Sequence, residues 1–181
     1  MGYVAPVSPC SGPLLAAAAL LAAAGVQKVG RPDPAVRALR SVGLRVPGSL
    51  VRLGGAVEVA ICIAAVLTGS WWAAALVSAS YLAFAVFVAV ARRRGGVLAS
   101  CGCFGRADTP PTLTHIGVNL LLATGAAGAG ALPPGSLTSV LTASPWGGVP
   151  LLAYSAGCAA LAYYALAVLP MLTATPPGRS S

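Results

Sequence analysis

The chain has 181 residues, of which 57% are hydrophobic and 8% charged, and its mean hydropathy is +0.86. Soluble domains carry roughly 25% charged residues, so this composition excludes a water-soluble globular fold and predicts an all-α polytopic membrane protein. The net charge of +8 does not indicate a nucleic-acid partner, because the basic residues flank apolar stretches, as they do beside membrane spans.

Five transmembrane spans are predicted, in chain order at about residues 13–29, 50–67, 71–91, 113–132 and 149–172. Each approaches the ~20 residues that cross a bilayer as a helix. The fourth is the weakest, because its second half is mostly Gly and Ala, which favour close helix packing in lipid. We expect one helical membrane domain over residues 13–172, between a short N-terminal segment (1–12) and a mobile polar tail (173–181).

The connection between the first two spans predicts a short helix lying in the membrane interface. Asp33 is a typical N-cap residue, and Pro34 suits the first helical position. Val36, Leu39 and Val42 then share one face, while the arginines of the segment lie off that face. An irregular loop is the alternative for this segment.

Charge is distributed unevenly between the two ends of the predicted bundle. The first and third connections and the C-terminal tail carry arginines, whereas the N-terminus and the other two connections carry no charged side chain. Trp71, Trp72 and Trp146 lie at the uncharged end, as interfacial anchors do. The positive-inside rule therefore predicts a multi-pass plasma-membrane protein with its N-terminus outside and its C-terminus in the cytoplasm.

The polar connection between the third and fourth spans contains the string Cys101-Gly102-Cys103-Phe104-Gly105. A dithiol can be oxidised or reduced, and a disulfide between cysteines this close would be strained and therefore easily reduced. Gly102 and Gly105 provide the backbone freedom that such a loop needs. We predict that Cys101 and Cys103 are the catalytic pair, and inert loop cysteines are the alternative.

Several other residues of reactive or aromatic type are interpreted as structural. Cys62 and Cys158 lie inside apolar spans, where a small buried hydrophobe is the expected role. Cys10 is not preceded by the basic and apolar regions of a lipoprotein signal. Tyr81 and Phe84 in the third span are expected to be packing residues.

Four rare polar side chains within the spans are predicted to approach the cysteine loop: Lys28, Glu58, His115 and Asn119. Polar groups are costly in lipid and often mark functional sites. Lys28 or His115 near a thiol would favour the reactive thiolate, and Glu58 could stay ionised if paired with Lys28 or Arg52. The structural alternatives are a lysine reaching the interface, a purely structural salt bridge, and hydrogen bonds between helices.

At these residues the chain resembles the MauE/DoxX family of redox-associated membrane proteins, in particular the methylamine-utilisation MauE branch. The resemblance covers about residues 13–132. It rests on Gly25-x-x-Lys28, Asp33-Pro34, Glu58, the Cys-Gly-Cys-Phe-Gly string, His115 and Asn119. It implies a DoxX-like four-helix bundle plus one C-terminal helix, and thiol–disulfide handling beside a thioredoxin-like partner. Named MauE proteins assist maturation of a disulfide-rich methylamine dehydrogenase subunit, a client that we do not carry over to this chain.

The sequence thus predicts a membrane-embedded thiol–disulfide redox component that passes electrons or disulfides between Cys101/Cys103 and a thioredoxin-like protein. A quinone is a second candidate acceptor, by analogy with other membrane thiol oxidoreductases. The alternatives are a non-catalytic assembly factor for a redox enzyme and a small transporter that uses Lys28 and Glu58.

Two further points concern the cysteine pair. A metal site with His115 as third ligand is disfavoured, because two thiols one residue apart cannot easily span a tetrahedral ion. The charge pattern predicts a cytoplasmic loop, whereas maturation of an exported client would suggest an outward-facing one. We follow the charge pattern, because every charged side chain falls on the same side of the predicted bundle.

Overall fold

The computed structural model describes residues 11–94, 112–131 and 145–167, and of residues 145–147 and 167 only the backbone. Within these ranges the chain is helical apart from short connections and contains no β-strand, which confirms the all-α class. The helices are α1 (Ser11–Gly30), α2 (Asp33–Ser41), α3 (Gly48–Thr68), α4 (Trp71–Arg93), α5 (Leu113–Ala131) and α6 (Pro145–Ala167).

The five long helices alternate in direction. Arg94, just after α4, donates a hydrogen bond to the carbonyl of Val42, so α4 ends beside the connection between α2 and α3. A Cβ on Gly130 would lie 3.4 Å from the carbonyl oxygen of Trp71, so the end of α5 meets the start of α4. One end of the bundle, called the basic end below, therefore holds the end of α1, all of α2, the start of α3, the end of α4 and the start of α5.

Among the described residues, four stretches are long and apolar enough to cross a membrane: α1, α3, α4 and the part of α6 from Gly148 to Leu166. The fourth predicted span coincides with α5, which is helical but is not among these four. Three polar residues in its first half (Thr114, His115 and Asn119) and the Gly- and Ala-rich second half lower its hydropathy. Large apolar side chains such as Leu121, Leu161 and Val86 are 63–73% exposed, as expected for a surface that faces lipid. The chain is a multi-pass membrane protein.

The core lies between α1, α3, α4 and α5 and consists mainly of alanine, leucine and valine. Small side chains let helix backbones approach closely, which is the main source of attraction between helices in lipid. Two hydroxyls of α4 add hydrogen bonds between helices. Tyr81 donates to the carbonyl of Ala17 in α1 at 2.7 Å, and Ser78 donates to that of Ala123 in α5 at 2.9 Å.

The predicted short helix after the first span exists as α2, but its cap prediction is wrong. Pro32 is the residue before the helix, Asp33 is already helical, and no side chain caps the first turn. The buried face is also shifted, because Ala35, Ala38 and Val42 are buried while Val36 and Leu39 are half-buried. Ala38 and Val42 belong to a small cluster with Ala91 near the end of α4, and this contact sets the rotation of α2.

Candidate functional site

Helices α1 and α3 cross in direct backbone contact at Gly25 and Gly55, nearer to the basic end than to the other end, and this contact is called the glycine crossing below. A Cβ added to Gly25 would lie 2.6 Å from the carbonyl oxygen of Gly55, and a Cβ added to Gly55 would lie 2.6 Å from that of Gly25. Real Cβ atoms do not approach backbone oxygens this closely, so only glycine allows the two helices to touch here. Because the two helices run in opposite directions, each glycine also lies against a side chain of the other helix: a Cβ on Gly25 would lie 3.2 Å from the Cβ of Glu58, and a Cβ on Gly55 would lie 2.9 Å from the Cβ of Lys28.

Lys28 and Glu58 are the residues that the crossing brings together. Each lies three positions after a crossing glycine and therefore on the same helical face. The Nζ atom of Lys28 donates to Oε1 of Glu58 at 2.5 Å, and the two side chains are only 11% and 14% exposed. Glu58 pairs with Lys28 and not with the exposed Arg52, which decides between the two partners that the sequence left open.

Aromatic rings of α4 complete the surroundings of this ion pair. The ammonium of Lys28 lies 4.5 Å from the centre of the Phe84 ring, an arrangement typical of a cation–π interaction. Phe84 in turn meets Tyr81 edge to face, with ring centres 6.0 Å apart. Phe84 is predicted from the sequence to be a packing residue. In the structure its ring also contacts the Lys28 ammonium, which stabilises the position of Lys28 beside Glu58. Oε2 of Glu58 is buried and has no hydrogen-bond partner among the described residues.

A cavity of about 370 Å³ lies beside the ion pair, between α1, α2, α3 and α4. Its walls are almost entirely apolar, and its charged lining residues are Lys28 and Glu58. Sites for small molecules commonly measure about 300–1,000 Å³ and combine apolar walls with a few polar groups. This cavity has the size and composition of such a site.

His115 and Asn119 form a second buried polar group in the first half of α5. Nδ1 of His115 accepts a hydrogen bond from the backbone N–H of Thr112 at 3.3 Å and lies 2.8 Å from the Thr112 hydroxyl. The backbone N–H of His115 in turn donates to the carbonyl of Thr112 at 3.2 Å, so these contacts fix the first turn of the helix. The backbone of Leu166 in α6 is a second polar neighbour of the ring. Asn119 donates to the carbonyl of His115 at 2.6 Å, a bond within its own helix.

The predicted site residues therefore fall into three groups. Lys28 and Glu58 contact each other, and His115 and Asn119 share one face of α5, but the hydrogen bonds of the described residues do not join the two pairs. The string Cys101-Gly102-Cys103-Phe104-Gly105 lies outside the described residues, as does Cys10. In the described part of the chain no group of three potential metal ligands occurs.

Two contributors to the site were missed by sequence reasoning. Gly55 was not singled out, although Gly55-x-x-Glu58 has the same spacing as Gly25-x-x-Lys28, and that match was a readable signal. The contact of Phe84 with Lys28 depends on the rotation of α4, and no sequence pattern reveals it.

Comparison with known proteins identifies the family. Residues 9–133 match the family model described as "Methylamine utilisation protein MauE". The match covers more than half of the chain, so this multi-pass membrane protein belongs to the MauE family. No curated protein and no solved structure gives a significant match.

Proposed function

We propose that the protein is a membrane thiol–disulfide redox component in which Cys101 and Cys103 form the reactive pair. The observation that carries the proposal concerns the connection between α4 and α5, which contains both cysteines. The residues on either side of this connection are fixed by hydrogen bonds at the same end of the bundle. Arg94 is tied to Val42 at one side, and Thr112 is tied to His115 at the other, both at the basic end. In the sequence the Cys-Gly-Cys string lies between Arg94 and Thr112, and Lys28, in the last turn of α1, lies near the same end of the bundle.

Chain length supports access of the cysteines to this region. Cys101 follows Arg94 by seven residues, and an extended chain spans at most ~3.6 Å per residue. This length is sufficient for the cysteines to reach neighbouring helices at the basic end, because packed helices lie about 8–10 Å apart. In this proposal, His115 fixes the position at which α5 begins after the cysteine-containing connection. The bond between Lys28 and Glu58 keeps α1 and α3 in register.

The proposal includes a five-span topology with a cytoplasmic cysteine loop. The alternating directions of the five long helices support five membrane crossings. Helix α5 packs against α4, α1 and α6, which cover its His115 and Asn119. All arginines of the described residues lie in α2, in the connections beside it, in the first turns of α3 or at the end of α4, which supports a cytoplasmic basic end. The family description links the chain to methylamine utilisation, and we propose no particular client within such a system.

Trapping of mixed disulfides tests the redox role and the thioredoxin-like partner together. In thiol–disulfide exchange one cysteine attacks the partner and the second resolves the mixed disulfide. We expect Cys101→Ser or Cys103→Ser, expressed in the full chain, to accumulate a covalent complex that reducing agent dissolves. Mass spectrometry of the complex would identify a partner with a thioredoxin-type Cys-x-x-Cys motif.

Matched controls are provided by the two described cysteines. Cys62 is buried in α3, and Cys158 is half-buried in α6, so Cys62→Ser and Cys158→Ser should trap nothing. If neither loop variant traps a complex under oxidising or reducing growth, the redox role is wrong and the assembly-factor role gains support.

A further inference from the structure

The cavity beside Lys28 and Glu58 has one polar wall and several apolar ones. Phe84 and Phe87 lie one turn apart on α4 and both line it, with Leu50 of α3 among the other lining residues. Leu50 is 55% exposed, so the cavity reaches the lipid-facing surface of the bundle. An occupant can therefore enter from the membrane and need not pass through water.

The polar wall can donate hydrogen bonds. The Lys28 ammonium carries three N–H donors, and the described residues supply one acceptor for them, Oε1 of Glu58. The ion pair as a whole is neutral, so a charged occupant would leave one charge unbalanced in a region of low dielectric. A saturated acyl chain has no oxygen that could accept a bond from the lysine. The cavity therefore fits a neutral, lipid-soluble molecule that has a carbonyl oxygen on a planar ring. The carbonyl can accept a bond from Lys28, and the ring can pack against Phe84 and Phe87.

We propose that this cavity binds the ring of a lipid-soluble quinone, with a ring carbonyl accepting a hydrogen bond from Lys28. The inference rests on the proposed redox function, for which it names the electron acceptor. The exchange is balanced: two thiols lose two electrons and two protons as the disulfide forms, and the quinone gains both to become a hydroquinone.

A photoreactive benzoquinone with a ten-carbon chain tests binding in the full-length protein reconstituted into lipid nanodiscs. We expect the label to map by mass spectrometry to the cavity segments of α3 and α4. A non-photoreactive quinone with the same tail should compete with it, whereas a plain ten-carbon alcohol should not.

Two glycine variants form a matched pair for this experiment. Gly54 lines the cavity, and a Cβ at this position meets nothing within 4 Å, so Gly54→Leu should fill the space without breaking the fold. Gly117 in α5 is equally open but lies away from the cavity, so Gly117→Leu is the control. We expect labelling to fall at least tenfold in Gly54→Leu and to stay within twofold of wild type in Gly117→Leu.

The cysteine variants separate this inference from the proposed function. Cys101→Ser/Cys103→Ser should keep wild-type labelling, because the ring is held by residues of α1, α3 and α4. If labelling is normal but no mixed disulfide is ever trapped, the quinone site stands and the redox role fails. Equal labelling of Gly54→Leu and wild type, or competition by the plain alcohol, would overturn the quinone site and favour an acyl chain as occupant.

Discussion

The two buried polar groups of this bundle differ in the kind of bond that holds them, an ion pair between side chains in one and hydrogen bonds to backbone groups in the other. Lys28 and Glu58 belong to different helices, and their bond joins α1 to α3 at 2.5 Å. His115 bonds Thr112 and Asn119 bonds the His115 carbonyl, both at the start of α5, and the His115 ring also meets the backbone of Leu166 in α6. We infer that the first group controls helix register and the cavity, and that the second controls where α5 begins and how it packs against α6.

The largest effect is expected from breaking the ion pair. Lys28→Met leaves the Glu58 carboxylate without its partner, and removal of one member of a buried pair costs about 3–5 kcal/mol. Replacing both residues by Met should recover most of this loss, because no uncompensated charge remains. Equilibrium unfolding in detergent, followed by circular dichroism, measures both values.

Arg52→Met is the matched control for the ion pair, because Arg52 is an exposed charge on the same helix as Glu58. Its effect should stay within about 0.5 kcal/mol. A double variant no more stable than Lys28→Met would contradict the view that the cost comes from the unpaired carboxylate.

The glycine crossing is expected to give the next largest effect. Gly55→Ala adds a Cβ 2.6 Å from the carbonyl oxygen of Gly25, so α1 and α3 must separate at a cost of about 1–3 kcal/mol. The neighbouring Gly54→Ala meets nothing within 4 Å and should be neutral or stabilise the helix by up to about 1 kcal/mol. The same unfolding experiment compares the two, and equal effects would argue against the crossing.

Loss of one hydrogen bond between helices should be smaller. Tyr81→Phe removes the bond to the Ala17 carbonyl while keeping the ring beside Phe84, and we expect a loss of about 0.5–1.5 kcal/mol. Thermal unfolding in the same detergent would measure the difference. If Tyr81→Phe lowers the free energy of unfolding by more than Gly55→Ala does, the Tyr81 hydroxyl stabilises the bundle through more than its bond to the Ala17 carbonyl.

The smallest effect is expected at Asn119, whose side chain bonds its own helix at a carbonyl that helical geometry already satisfies. Asn119→Leu should change the free energy of unfolding by about 0.6 kcal/mol or less. A loss as large as that of Lys28→Met would contradict the division between the two polar groups.

The sequence predicted much of this arrangement, for physical reasons that can be named. Hydrophobic run lengths fix helices in lipid, and α1, α3 and α4 follow the first three predicted spans. Lys28 and Glu58 are rare charged residues within the spans, which made their contact predictable. The choice of Lys28 over Arg52 depends on the rotation of α3, which the backbone contact of Gly25 with Gly55 sets.

Other features could not be predicted because they depend on tertiary packing. Residue type suggested Asp33 as an N-cap, but packing of Ala38 and Val42 against Ala91 sets the path of α2, and the helix begins directly after Pro32. The cavity is likewise invisible in the sequence, since residues from four separate elements line it. Whether α5 crosses the membrane cannot be decided from its composition alone, because its neighbours cover the buried His115 and Asn119.

The most direct test of the redox role is thiol labelling of intact cells that express a variant retaining only Cys101 and Cys103. Membrane-permeant and membrane-impermeant maleimides would be compared before and after reduction. We predict that labelling appears only after reduction and only with the permeant reagent, which means a disulfide on the cytoplasmic side. Free thiols that never change under oxidising or reducing growth would contradict the redox role, and labelling by the impermeant reagent would reverse the topology.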